Sequence, residues 1–297
     1  MKPLYYMLGA LSLVFLLVPS FAGAKDVEWS KLNPAFNGAT FINDSSICYG
    51  CHQDYKKKFD ATPHAKAFKN NPPPYGECES CHGPRSKHVQ GPSREFVITN
   101  SQKVAVCMQC HEGSNRKYWK NSPHPNAGVN CVDCHTVMEA KSDRYLLTTK
   151  KEPDSCYTCH IDVSGQMNKA SHHPVREGRI KCSDCHNPHG SPTNGLLTKV
   201  SVNLTCYQCH QEKRGPFLMV HPPVQDNCLN CHEPHGTNNR KLQVTKEAFL
   251  CMQCHSYGGH PNLQRYNRVS SPYGEGCVNC HMAIHGSNSP SGIKLTR

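Results

Sequence analysis

Residues 181–191 read Lys-Cys-Ser-Asp-Cys-His-Asn-Pro-His-Gly-Ser. Cys182 and Cys185 stand three apart and His186 follows at once. Two thiols at that spacing reach the two vinyl groups of one haem, and the next residue, His, swings beneath the ring to bind its iron. The same Cys-x-x-Cys-His string starts at Cys48, Cys78, Cys107, Cys131, Cys156, Cys182, Cys206, Cys228, Cys251 and Cys277, and no cysteine lies outside it. The second thiols are Cys51, Cys81, Cys110, Cys134, Cys159, Cys185, Cys209, Cys231, Cys254 and Cys280. Disulfides or zinc ribbons would also use an even number of cysteines, but neither requires a histidine after every second thiol. Ten of ten therefore points to ten covalent haems c.

Successive motifs begin 22 to 30 residues apart, which makes the chain a repeat of haems rather than of helices. Such short intervals keep neighbouring rings close, so the natural activity is passage of electrons from ring to ring.

The motifs supply His52, His82, His111, His135, His160, His186, His210, His232, His255 and His281 as proximal iron ligands. Ten further histidines remain, enough for six-coordinate irons with no open face. They follow a pattern of five two-haem units, each with one candidate ahead of the second motif and one behind it. The leading candidates are His64, His124, His173, His221 and His260, the last four each followed by proline. The trailing ones are His88, His189, His235 and His285. His189 and His235 stand three residues after their own motif histidines, too near to reach round the same ring, so they are expected to serve a neighbouring haem.

Unit two has no trailing histidine; Met138 occupies the place, and unit three has a surplus His172 beside His173. A thioether is a recognised axial ligand that raises the reduction potential. Met138 is therefore the candidate tenth distal ligand, with His172 its rival.

The rest of the sequence agrees with a cofactor-filled interior. A mean hydropathy of −0.63, with 9 Phe, 12 Tyr and 2 Trp against 21 Gly and 22 Pro, leaves too little apolar surface for an ordinary core. Residues 1–24 read as a signal peptide: Lys2, an apolar run from Leu4 to Val18, then Ala22-Gly23-Ala24 before the expected cleavage. Residues 25–297 are the decahaem domain, with a flexible tail expected from about 287.

Short helices are expected around Asp54–Phe59, Val104–His111 and Glu247–His255, and loops at 71–76 and 287–292. The fold class expected is a multihaem cytochrome c, mainly irregular with short helices wrapped around a linear stack of ten haems, and elongated. The formal charge of +11 does not imply nucleic acid, because each ferric haem with ionised propionates adds about −1. Lys56-Lys57-Lys58 reads as a solvated face.

From Cys48 onward the sequence resembles the periplasmic decahaem cytochromes of the MtrA/DmsE type, which include the iron-oxidation members MtoA and PioA. The likeness is densest in KCSDCHNPHGS (181–191), TCYQCHQEKRGP (205–216), NCLNCHEPHG (227–236) and HGSNSPSG (285–292). It implies an electron carrier without catalytic residues, associated with the outer membrane on its periplasmic side. The implied partners are a β-barrel porin, periplasmic donor or acceptor cytochromes, and an extracellular multihaem cytochrome or terminal reductase. The metal-reducing members have histidine where this sequence has Met138. Two alternatives stand beside the conduit: a soluble periplasmic shuttle, and a multihaem reductase with one open iron, for which no variant motif such as Cys-x-x-Cys-Lys is present.

Overall fold

The computed structural model describes residues 27–142, 144–255, 276–290 and 292–296. The expected leader, and His260 with it, lie outside the described residues. Within them the chain is short helices joined by irregular backbone, with isolated bridges and no sheet. No helix among them is long and apolar enough to cross a membrane.

The helices expected from the sequence are present as Gln53–Asp60, Asn100–His111 and Glu247–Met252. Asn100–His111 is the longest, and its start is fixed by a reciprocal cap: Thr99 Oγ1 accepts from the Gln102 amide, and the Gln102 side chain accepts from the Thr99 N–H at 2.7 Å. Thr62, fully buried, caps Pro63–Asn70, where proline at the first turn needs no donor of its own. The Cys-x-x-Cys-His motifs close a helical turn in which the histidine N–H donates to the carbonyl of the first cysteine, as His52 does to Cys48 and His281 to Cys277.

Apolar packing is concentrated at the N-terminal end. Trp29, Phe36, Phe96, Ile98 and Val106 form one buried cluster. The Arg85 guanidinium lies 5.4 Å from the centre of the Phe36 ring and also donates to the carbonyls of Phe96 and His82. Buried Glu79 is satisfied by three backbone donors, from Ile42, Asn43 and Arg85.

In four units a single acceptor ahead of the first motif clamps the second. Ser45 Oγ takes the Cys78 N–H, Glu152 the Ser183 N–H, Asn203 the Cys228 N–H and Glu247 the Val278 N–H. These bonds hold the two motifs of a unit side by side.

Main-chain bonds run through the C-terminal segment as far as Leu295. Ser287 and Met219 exchange two backbone hydrogen bonds at 2.8 Å, the Ala283 N–H donates to Leu295, and Lys294 offers its carbonyl to His281. A Ser/Gly/Pro-rich string carries no apolar signal, and main-chain bonding of this kind leaves no trace in composition.

Candidate functional site

Five pairs of first cysteines meet, one in each unit. The Cys107, Cys156 and Cys206 thiols are pushed up chiefly by hydrogen bonds to Cys131, Cys182 and Cys228. Burial and then Cys78 raise Cys48 to about 11, and burial and then Cys277 do the same to Cys251. Between units it is the second cysteines that come within electrostatic reach of one another. After burial, Cys110 is the main neighbour raising Cys81, and Cys134, Cys185 and Cys231 lie within electrostatic reach of Cys159, Cys209 and Cys254. The alternation is unbroken from the first motif to the tenth, in chain order.

Eight motif histidines each face a second histidine, seven of them across units. His52 faces His88, His111 faces His64, His135 faces His189, and His160 faces His124, with ring centres 6.4, 5.8, 5.9 and 6.2 Å apart. His186 faces His235, His210 faces His173, His232 faces His285 and His255 faces His221, at 5.9, 6.2, 6.1 and 6.0 Å. Taking an iron–nitrogen bond of about 2 Å and about 1.2 Å from that nitrogen to the ring centre, two axial imidazoles on one iron stand about 6.4 Å apart. The eight gaps are haem-sized, and the residues present fit the group.

The pairs obey one connectivity. The second motif of units two, three and four faces the trailing histidine of the next unit, and the first motif of units two to five faces the leading histidine of the unit before. Among the described residues, unit one closes on itself at the N-terminal end, as His52 does with His88. Each interior unit is thereby interlocked with both neighbours.

A second device orients the imidazoles on the proximal side. His135 Nδ1 donates to the Tyr145 carbonyl at 2.7 Å, His186 to Gly195 at 2.5 Å, His232 to Lys241 at 2.9 Å and His281 to Lys294 at 2.6 Å. A carbonyl only accepts, so Nδ1 carries the proton and Nε2 is left with its lone pair for iron. Three of these carbonyls belong to a turn of two successive left-handed residues: Tyr145-Leu146 (φ 65° and 52°), Gly195-Leu196 (69° and 55°) and Lys241-Leu242 (56° and 57°). The second residue of each turn accepts from the backbone N–H just after the motif histidine. Sequence reasoning missed these residues, although a leucine recurs in YLLT, GLLT, KLQV and KLT after the even motifs.

Among the histidines that face the motifs, His124 Nδ1 donates to the Pro188 carbonyl and His173 Nδ1 to that of Pro234, both at 2.7 Å. His172 is engaged elsewhere: Nδ1 bonds the Lys169 carbonyl at 2.7 Å and Nε2 stands 3.2 Å from Glu177, contacts that raise its pKa. Met138 is half-buried, and its neighbour Glu139 lies 3.8 Å from Lys58. Among the described residues no three His, Cys, Asp or Glu side chains converge as a bare metal ion would need.

The doubled CXXCH motif family matches residues 124–165, 172–215 and 221–260. The chain is 39% identical over 269 residues to the multihaem cytochrome MtrA of Shewanella baltica, covering 84% of this chain and 80% of that protein. This chain belongs to the MtrA multihaem cytochrome family. It is an electron carrier bearing covalent haem c at its Cys-x-x-Cys-His motifs. It is also 24% identical over 296 residues to the high-molecular-weight cytochrome c of Nitratidesulfovibrio vulgaris, spanning 82% of this chain but about half (48%) of that longer protein. In this MtrA-family chain the fold therefore serves to line up haems, and the side chains serve to ligate, orient and enclose them.

Proposed function

We propose that this chain is the conducting core of an outer-membrane conduit, passing electrons between periplasmic carrier proteins and an extracellular acceptor or donor through a β-barrel porin that sheathes it. Residues 1–24 direct its export, and the mature chain works from the periplasmic side. The observation that carries the reading is the unbroken order of motif contacts. First thiols lie side by side within units and second thiols within electrostatic reach between them, so every attachment site but the terminal two has a neighbour on each side. Electron tunnelling decays steeply with separation, so a wire needs this adjacency at every step and a storage protein does not.

The eight facing imidazole pairs argue against a reductase, since an enzyme of that class needs an iron with a free face. By the same count His281 is left to His260, the remaining leading histidine. The chain's own groups hold and orient: the carbonyls of Tyr145, Gly195, Lys241 and Lys294 fix imidazole tautomers, and the interlocked units fix spacing.

Fractionation tests the conduit. The protein should co-purify from detergent-solubilised outer membranes with a β-barrel protein, and the pair in liposomes should reduce or oxidise an enclosed dye from outside. Recovery of all the protein in the soluble periplasmic fraction, with no transmembrane transfer, would establish a shuttle instead.

A further inference from the structure

We propose that Met138 is the distal ligand opposite His82, so that the second haem, alone among those whose partners the structure describes, is held by histidine and methionine. The inference rests on the multihaem reading above but not on the conduit.

Three second motifs obey one rule. His135, His186 and His232 each face the trailing histidine of the following unit, namely His189, His235 and His285. His82 is the second motif of unit one, so its partner is due from the trailing position of unit two. His189 and His235 come three residues after their own motif histidines, and three residues after His135 comes Met138.

Two separate observations agree. The trailing segments of units three and four lie against the leading histidine of the unit before, through Pro188 and Pro234. Unit two's trailing segment likewise lies against unit one, through Glu139 and Lys58. Met138, although in irregular backbone, is half-buried rather than exposed. Imidazole competitors are spent: every other candidate distal histidine among the described residues faces a different motif histidine, and both nitrogens of His172 are bonded.

A thioether in place of imidazole favours the ferrous iron, so the second haem should have the highest potential in the chain. It would hold an electron next to the N-terminal end of the wire, a low point that neighbouring sites empty and refill.

Near-infrared magnetic circular dichroism of the oxidised full-length holoprotein should show a thioether charge-transfer band worth one haem beside the bis-imidazole bands. Met138→His should abolish that band and bring the highest-potential tenth of the redox titration down among the rest. Met138→Ala should let the reduced protein bind one carbon monoxide per chain, where the wild type binds none. Replacing Cys78 and Cys81 by serine should remove the band with the second haem, and the same change at Cys277 and Cys280 should leave it. A wholly bis-imidazole wild-type spectrum would overturn the ligand, and a band that survives loss of the second haem would overturn its placement. Either result leaves ten-haem electron transfer intact.

Discussion

His173 Nδ1 donates to the carbonyl oxygen of Pro234 at 2.7 Å, and Pro234 is the residue before His235. The His173 ring faces His210 while the His235 ring faces His186. One hydrogen bond thus ties the groups opposite the sixth and seventh motif histidines. His124 and Pro188 repeat the relation one unit earlier, joining the groups opposite His160 and His135. Position and orientation of an axial ligand are set together by such a bond, and so is the basicity of the imidazole.

His235→Ala removes the imidazole opposite His186 and nothing from the motif itself. The reduced variant is expected to bind one carbon monoxide per chain with a rapid Soret shift, while its haem content stays at ten. Loss of a half-buried imidazole and of its bond to iron puts the stability cost at about 1–3 kcal/mol. Carbon monoxide titration followed by absorbance measures the first effect, and thermal melting the second. No uptake would mean that another side chain serves that face.

Gly236 follows His235 at φ 149°, and a Cβ there would run into the Gln166 carbonyl and approach His172. Gly286, after His285, is closed in the same way by the Phe217 ring. Backbone cannot retreat as a flexible side chain can, so Gly236→Ala should destabilise more than Gly286→Ala, by about 1–3 kcal/mol against the wild type. Melting temperatures of the two holoproteins decide the order. Equal values would show that the Gln166 segment yields.

The ten attachment sites were legible because thioether formation needs a contiguous string, and so was the division into units with a ligand candidate on either side of each second motif. Which imidazole meets which motif was not legible, because partners such as His135 and His189 lie 54 residues apart in sequence and meet only through the interlocking of units. The turn that orients the motif histidines was also hidden. Tyr145 and Lys241 are not residues that favour a left-handed backbone, and only Gly195 gives the usual signal.

That turn makes an opposite pair of predictions. Gly195→Ala places a Cβ at φ 69° where nothing crowds it, so the cost is conformational alone, about 1–2 kcal/mol. Tyr145→Gly relieves the same conformation at the equivalent place, and the Tyr145 side chain is 60% exposed with little packing to lose. Stability should therefore fall with the first change and hold or rise with the second, as thermal melting would show. A fall with both would mean that the Tyr145 ring does more than its exposure suggests, through the Arg144 guanidinium 5.2 Å from its centre.

His172→Gln discriminates a packing histidine from an axial one. Both ring nitrogens are occupied by acceptors, the Lys169 carbonyl and the Glu177 carboxylate, and the glutamine amide keeps two N–H donors. Haem content, ligand-field spectrum and carbon monoxide uptake should match the wild type. A gain of one carbon monoxide site would make His172 a ligand and displace Met138 from the set.

Haem removal tests what holds the molecule together. The buried apolar side chains among the described residues are few, and five of them, from Trp29 to Val106, form one cluster at the N-terminal end. Trp119, Leu146, Met167 and Val175 lie outside it, whereas ordering each residue's backbone costs about 1–2 kcal/mol. Hydrogen-bonded clamps such as Glu152 to Ser183 are only marginally favourable against water and cannot offset that cost. The chain with all its cysteines changed to serine should therefore show no cooperative melting transition by circular dichroism. Limited proteolysis should degrade it throughout, with residues around 27–111 surviving longest. A sharp transition in the haem-free chain would mean that the polypeptide builds its own core, and that the haems only occupy it.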